Sequence, residues 1–317
     1  MGKSSDPIVT IGIPTYNRAE GYFKQALTSA LSQTYQNIDI VVADNCSTDN
    51  TERYVKSIPD SRIRYFKHSK NLAPNDNFNF CLKEARGEYF LLLHDDDLID
   101  DDFVETCING LPANGEVGII RTGTRTIDGN GSVLNEGYNR TDGLSTTDFI
   151  LTWFKWKTAF YFCSLLFNTK RLKEIGGFGS KTNLFQDVVA AVQLAAKFGR
   201  VDIYDIKASF RKHGSGMTFA NKINDWVEDS IYLLDLICDL IPEDMHLLKK
   251  EGLAYFSMFN YLLATKINSP ASRLLTYFNL FKTFKLVFVR QILVQLIHRT
   301  PIYPALQSLR KNLKTFS

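Results

Sequence analysis

A chain of 317 residues, 44% hydrophobic and 22% charged, exceeds one average domain and has the usage of a packed globular protein, which excludes a disordered or collagen-like chain. The net charge of +3 conceals an asymmetry: residues 252–317 hold nine Lys or Arg and no Asp or Glu, leaving 28 basic against 34 acidic residues before them. Five scattered cysteines without a C-x-x-C pair argue against a disulfide frame or zinc site and fit reduced thiols of the cytoplasm. The first seven residues lack the apolar stretch of a signal peptide, and no run of 18 apolar residues is available to span a bilayer. Residues 8–13 predict a β-branched strand, stopped by the loop Pro14-Thr15-Tyr16-Asn17. In 24–33 the apolar Ala26, Leu27, Ala30 and Leu31 recur at helical spacing, and 38–43 predict a second strand. The alternation repeats with a helix-permissive 51–57, a short strand at 63–66, a helical stripe of Phe78, Cys81, Leu82 and Ala85, and a buried strand at 89–93.

Such alternation with short loops implies an α/β fold, a mostly parallel sheet flanked by helices. Ligands of these sheets sit at the carboxyl ends of the strands, where Thr15-Tyr16-Asn17, Asp44-Asn45 and Asp95-Asp96-Asp97 fall. Beyond Gly110 the regularity fades. Strands are expected at 117–120 and 164–167, a Gly- and Asn-rich loop at 128–143, and a helix at 186–198. After Trp226 the pattern is helical through 264, then basic and apolar to the end.

Three consecutive aspartates at a strand end repel one another unless a cation neutralises them. Mg²⁺ or Mn²⁺ takes oxygen ligands and shares its shell between carboxylates and substrate phosphates, so the triplet points to a phosphate-bearing ligand. A solvated turn or helix cap is the simpler reading of the triplet alone, and Asp100, Asp101 and Asp102 are placed for such capping.

The ordered motifs go further. Ile11-Gly12-Ile13-Pro14-Thr15-Tyr16-Asn17-Arg18, Val41-Val42-Ala43-Asp44-Asn45-Cys46-Ser47-Thr48-Asp49, and Gly87-Glu88-Tyr89 through Asp97 resemble the nucleotide loop, the acidic loop and the metal motif of the family-2 glycosyltransferases of GT-A fold, of the bacterial surface-polysaccharide type. The resemblance covers roughly 8–218. It implies a GT-A nucleotide-sugar-binding domain at 1–222, with a nucleotide-binding half at 8–110 and an acceptor half at 111–222, followed by a basic helical extension at 223–317. It also implies inverting transfer from a nucleotide-diphospho-sugar, a UDP-sugar first, to a saccharide or lipid-linked saccharide, with Mn²⁺ or Mg²⁺ as cofactor.

Carried over position by position, the resemblance lines the nucleotide pocket with Pro14, Thr15, Tyr16 and Asn17, and has Asp44 accept a hydrogen bond from a base imide. Lys70 and Asn71 approach base or ribose, and Ala73 replaces a glycine common in the family. His94 stands where many members have the first Asp, so Asp96 aligns with the direct metal ligand, Asp95 with the ribose or the outer ligand sphere, and Asp97 with an alternative ligand. The family's general base follows a Gly-Gly-Phe turn and opens a helix. Here Gly176-Gly177-Phe178 precedes Gln186-Asp187-Val188, which makes Asp187 the base. Gln186 replaces the usual Glu, leaving Asp187 without a like-charged neighbour and with a pKa lowered relative to relatives. The simpler reading has Asp187 merely cap the helix. Arg211-Lys212-His213-Gly214-Ser215-Gly216-Met217-Thr218 resembles the basic segment after the base, with His213 a metal ligand and Arg211 a phosphate contact. Trp153 and Trp156 suit stacking on an acceptor sugar and suit a core equally.

From 274 to 297 aromatic and aliphatic residues dominate, interrupted by Lys282, Lys285 and Arg290. An interfacial helix on an anionic membrane surface, at the inner face of the cell membrane, accounts for both the apolar and the basic character. A packed helical domain or oligomer interface is the alternative, and the absence of a recognition module argues against nucleic acid. Two rival classes stay open at this point: a nucleotidyltransferase on a similar sheet, and a non-catalytic scaffold held by the tail.

Overall fold

The computed structural model describes residues 6–112, 117–213 and 222–298. The expected loop at 214–218, the side chains of 286–297 and the chain after 298 lie outside the described set. Aliphatic and β-branched residues build β1 (Val9–Thr15), β2 (Ile38–Asp44), β3 (Ile63–Lys67) and β4 (Tyr89–Leu92), all parallel in the order β3-β2-β1-β4. Parallel neighbours need crossovers, which α1 (Tyr22–Leu31), α2 (Thr51–Lys56) and α3 (Pro74–Glu84) supply.

The second half departs from the parallel pattern. After β5 (Leu98–Ile99) and α4 (Phe103–Asn109) come β6 (Ile119–Ile127), β7 (Val133–Gly137), α5 (Thr146–Phe154), β8 (Leu165–Asn168), α6 (Thr169–Glu174), α7 (Gln186–Phe198) and β9 (Arg200–Arg211). The nine-stranded sheet runs β3-β2-β1-β4-β8-β6-β9-β5, with β7 on β6. β8 is antiparallel to both β4 and β6, whereas β6 and β9 are parallel. Side-chain patterning reports how a strand is covered, not which way it runs, so the sequence carried no sign of this reversal. β7 lies within the stretch expected as loop, with every residue exposed.

Two cores flank the sheet. One packs Phe23, Leu27 and Phe103 under β1 and β4. The other gathers Phe78, Phe149, Phe154, Phe178, Val192 and Leu194 with Trp226, Leu233 and Ile237 of α8 (Ile223–Leu240) and Phe256 of α9 (Met245–Ala264). The side chains of α8 and α9 thus complete the core of the sheet domain. Gly252 on α9 allows that approach, because a Cβ there would run into Leu234 and Phe154. α10 (Pro270–His298) is kinked at Lys285 (φ 50°, ψ −130°) and leaves Leu274, Leu275, Phe278 and Phe281 exposed. Among the described residues no helix is long and apolar enough to cross a membrane.

Candidate active site

The carboxyl ends of β1, β2 and β4 form a crevice, and its floor is tied together by side chains. Thr15 pairs with Asp44 in the β1–β2 register, and its hydroxyl donates to Asp95 Oδ2 at 2.8 Å. Asn17, in the left-handed region at φ 53°, donates its N–H to Ser47 Oγ and accepts at Oδ1 from Thr48 N, both at 2.8 Å. Pro14 is a buried strand residue, while Tyr16 stands 44% exposed at the crevice edge. Asp44 is fully buried: Oδ1 accepts from Ser47 N at 2.7 Å and Oδ2 from Tyr65 Oη. Both oxygens thus accept one bond within the protein, which braces the loop, and each keeps a lone pair for a further donor. Asn45 beside it donates to Asn71 Oδ1 (2.8 Å) and Leu72 O (2.9 Å) and accepts from Leu72 N (2.7 Å), fixing the exposed Asn71 over the same shelf.

The acidic loop is crowded. Burial first, and the charge of Asp96 second, push Asp95 up to about 6, against the opposing Thr15 bond. The same two causes hold Asp97 well above the usual carboxylate range, although Arg211 N and the Cys163 thiol donate to it. Asp96 Oδ2 lies 2.8 Å from His213 Nε2. Ligand atoms of His94, Asp96 and Asp97 fall within 4.8 Å of one another. His94 Nε2 is buried between the rings of Phe78 and Phe162 with no hydrogen-bond partner among the described residues, and burial lowers its pKa so that the neutral, ligating form is favoured. An orphaned imidazole nitrogen beside mutually repelling carboxyls is a donor set that fits a divalent cation. His94 was not among the expected ligands. Arg211, expected on phosphate, is only 4% exposed and donates from Nε to Asp96 O (2.8 Å), from Nη2 to Gln25 Oε1 (2.8 Å) and from Nη1 to Asp128 O (3.3 Å), with its cation 4.4 Å from the Tyr22 ring centre. It braces the acidic loop.

Asp187 lies in the first turn of α7, whose N-cap residue is Phe185, so Asp187 is not the cap. Its Oδ1 accepts from Val188 N at 2.8 Å. Burial raises its pKa to about 7, and the charge of Asp229 adds to that. Gln186 supplies no like charge, but Asp229 on α8 does. Burial first raises Tyr161 and Tyr255, and the charge of Asp187 adds to both, so these phenols stay protonated. Neither tyrosine was singled out from sequence, since a buried Tyr reads as core.

The two tryptophans separate. Trp153 is 5% exposed and enclosed by Phe160, Phe185, Tyr255 and Phe256, so its expected stacking on an acceptor is corrected to core packing. Trp156 is 55% exposed, 4.7 Å from the Tyr255 ring centre and stacked toward Phe259.

A parallel half-sheet ending in an acidic loop, joined to a mixed half that carries a half-buried carboxyl at a helix start, is the GT-A arrangement. The profile of Glycosyl transferase family 2 matches residues 10–172, more than half the chain, and the protein belongs to that family. It is 40% identical over 145 residues to an uncharacterized glycosyltransferase of Rickettsia bellii, covering 45% of this chain and 20% of that one. Against the chondroitin synthase of Escherichia coli it is 31% identical over 135 residues, covering 42% and 19%. The matched region thus spans about a fifth of the length of these two relatives. Among solved structures, S. aureus TarS 1–349 is similar with a TM-score of 0.68 at 17% identity, over 88% of this chain and 80% of that one. The mannosyltransferase PcManGT of Pyrobaculum calidifontis, solved with GDP-Man and Mn²⁺, gives 0.56 at 18%, over 91% and 84%. These structural likenesses are of fold.

Proposed function

We propose that this protein is a glycosyltransferase that moves a sugar from a nucleotide-diphospho-sugar, a UDP-sugar first, to a saccharide or lipid-linked saccharide with inversion at the anomeric carbon. In a single displacement the acceptor oxygen attacks that carbon while its bond to the diphosphate oxygen breaks, the electron pair leaving with the diphosphate. Asp187 takes the acceptor's proton. The observation that carries this reading is the half-buried Asp187 carboxyl: with a pKa of about 7 it is substantially ionised at neutral pH and basic enough to hold the proton it receives.

The donor's nucleotide would rest on the β1–β2 shelf beside Tyr16, Asn17 and Asn71, with Asp95 toward the ribose. Asp96 with His213, and His94 or Asp97 completing the set, would hold Mn²⁺ or Mg²⁺, whose charge, when bound, offsets that of the departing diphosphate. Support for such a donor comes from TarS 1–349 solved with UDP-GlcNAc (TM-score 0.59) and from PcManGT with GDP-Man and Mn²⁺. The reading extends to polysaccharide biosynthesis by a cytoplasmic protein peripheral to the inner membrane face. The exposed Leu274, Phe278 and Phe281 recur along α10 at helical spacing, beside Leu275, Arg273 and Lys282, and favour an anionic lipid surface.

The test is release of nucleoside diphosphate from a panel of nucleotide sugars with Mn²⁺, with and without saccharide acceptors. Asp187→Asn and Asp96→Asn should abolish turnover in folded protein. Near-wild-type turnover by Asp187→Asn overturns the assignment of the base.

A further inference from the structure

The carboxylate of Asp229, on α8, has no exposed surface, and a buried charge is tolerated only when its lone pairs are met. All four of its donors come from one segment. Ser180 Oγ (2.6 Å), Leu184 N (2.8 Å) and Phe185 N (2.9 Å) reach Oδ2, and Thr182 N (3.1 Å) reaches Oδ1. Thr182 Oγ1 also donates to the backbone of Asp225, one turn earlier on α8, at 2.9 Å. Residues 180–185 are therefore folded around a single side chain of the helical extension.

That segment leads straight into α7. Phe185 is its N-cap residue and provides no side-chain cap, so the carboxylate of Asp229 satisfies backbone donors at the helix start from a different element. The far end of the segment is held separately: Asn79 accepts from Phe178 N at 2.9 Å and donates to Phe178 O at 2.8 Å, over Gly177, which sits at φ 80° where a Cβ would strike Asn79. Behind Asp229, Ser230 Oγ donates to Trp226 O (2.6 Å), and Asn260 of α9 donates to Ser230 Oγ (2.9 Å). Trp226 meets Phe185 edge-on at 5.2 Å between ring centres.

We propose that Asp229 is a positioning residue for sugar transfer, through which the C-terminal helical extension sets the place of Asp187. The proposal rests on the reading of Asp187 as the base. Among the described residues Asp229 is the charged group that acts on Asp187, and its negative charge favours the protonated form.

Asp229→Asn tests this, because Asn keeps the shape but turns an amide N–H₂ toward backbone N–H groups. The substrate is whichever of UDP-glucose, UDP-galactose, UDP-GlcNAc, UDP-GalNAc and GDP-mannose turns over fastest. The expected result is a kcat lower by about 10- to 100-fold with donor KM within about twofold. The acid limb of the kcat–pH profile should move to lower pH as the like charge disappears. Hydrogen exchange at residues 180–187 should accelerate about tenfold or more, a readout that needs no turnover. Unchanged kcat and acid limb, with only a lower melting temperature, overturn the proposal, as does unchanged exchange. If Asp229→Asn fails to fold, Ser180→Ala removes one bond without stranding the charge; kcat should fall about threefold, and an unaltered kcat overturns the proposal. Asp187→Asn run alongside separates the two failures. Turnover by that variant refutes the base and this proposal with it, whereas an inactive Asp187→Asn beside a fully active Asp229→Asn refutes the positioning role alone.

Discussion

Asp187→Asn should make the protein more stable at alkaline pH while abolishing transfer. The Asp187 pKa rises from 3.8 to about 7 on folding, which corresponds to roughly 4 kcal/mol against the ionised form in the native state. Below pH 3.8 the group is protonated in both states and contributes nothing. Between 3.8 and 7 the unfolded chain releases its proton while the native protein retains it, so stability falls as pH rises, and above 7 the full cost is present. Asparagine never ionises and escapes that cost, while its Oδ1 can still accept from Val188 N. Urea unfolding of both proteins at pH 5, 6, 7 and 8 measures the difference. The variant's advantage should grow by about 1.4 kcal/mol per pH unit up to neutrality and then level off. Parallel stability curves across this range would show that Asp187 is not held as a costly base, and would refute the reasoning.

Trp153→Ala should cost about 3–5 kcal/mol in urea unfolding because it empties a packed aromatic core. Trp156→Ala should cost under about 1 kcal/mol and instead raise the KM for acceptor. Arg211→Ala should destabilise by about 3–5 kcal/mol, and Arg211→Lys should restore little of it, since a lysine cannot serve Asp96 O, Gln25 and Asp128 O together. Unchanged stability with a weakened donor KM would return Arg211 to phosphate binding. Sedimentation with vesicles containing phosphatidylserine should capture the wild type but not Leu274→Glu/Phe278→Glu, and equal capture of both would dismiss the α10 face.

The parallel half of the sheet was legible because periodicity, β-branching and loop residues agree from Val9 to Leu92. The acidic loop and Asp187 were legible as places, since motif order fixes where a residue stands along the chain. Their partners were not. Asp44 keeps its motif position while Ser47 and Tyr65 donate to its carboxylate, and only the paired strands bring Tyr65 there. Trp153 and Trp156 are three residues apart with identical chemistry, and the helix end between them decides which one is buried. Asp229 gave no sequence signal, because an Asp in an amphipathic helix reads as a solvated position and its partners lie more than 40 residues away.

The shared core of the sheet domain and the extension bears on how this chain can be recombined with relatives. Residue 222 looks like a natural seam, yet a hybrid joined there would oppose the Trp226 and Asp229 of one parent to the Phe185 and 180–185 loop of another. In this chain the stretch from the Gly176-Gly177 turn to the end of α9 is therefore one packed unit, to be moved whole rather than cut into a sheet domain and an interchangeable tail.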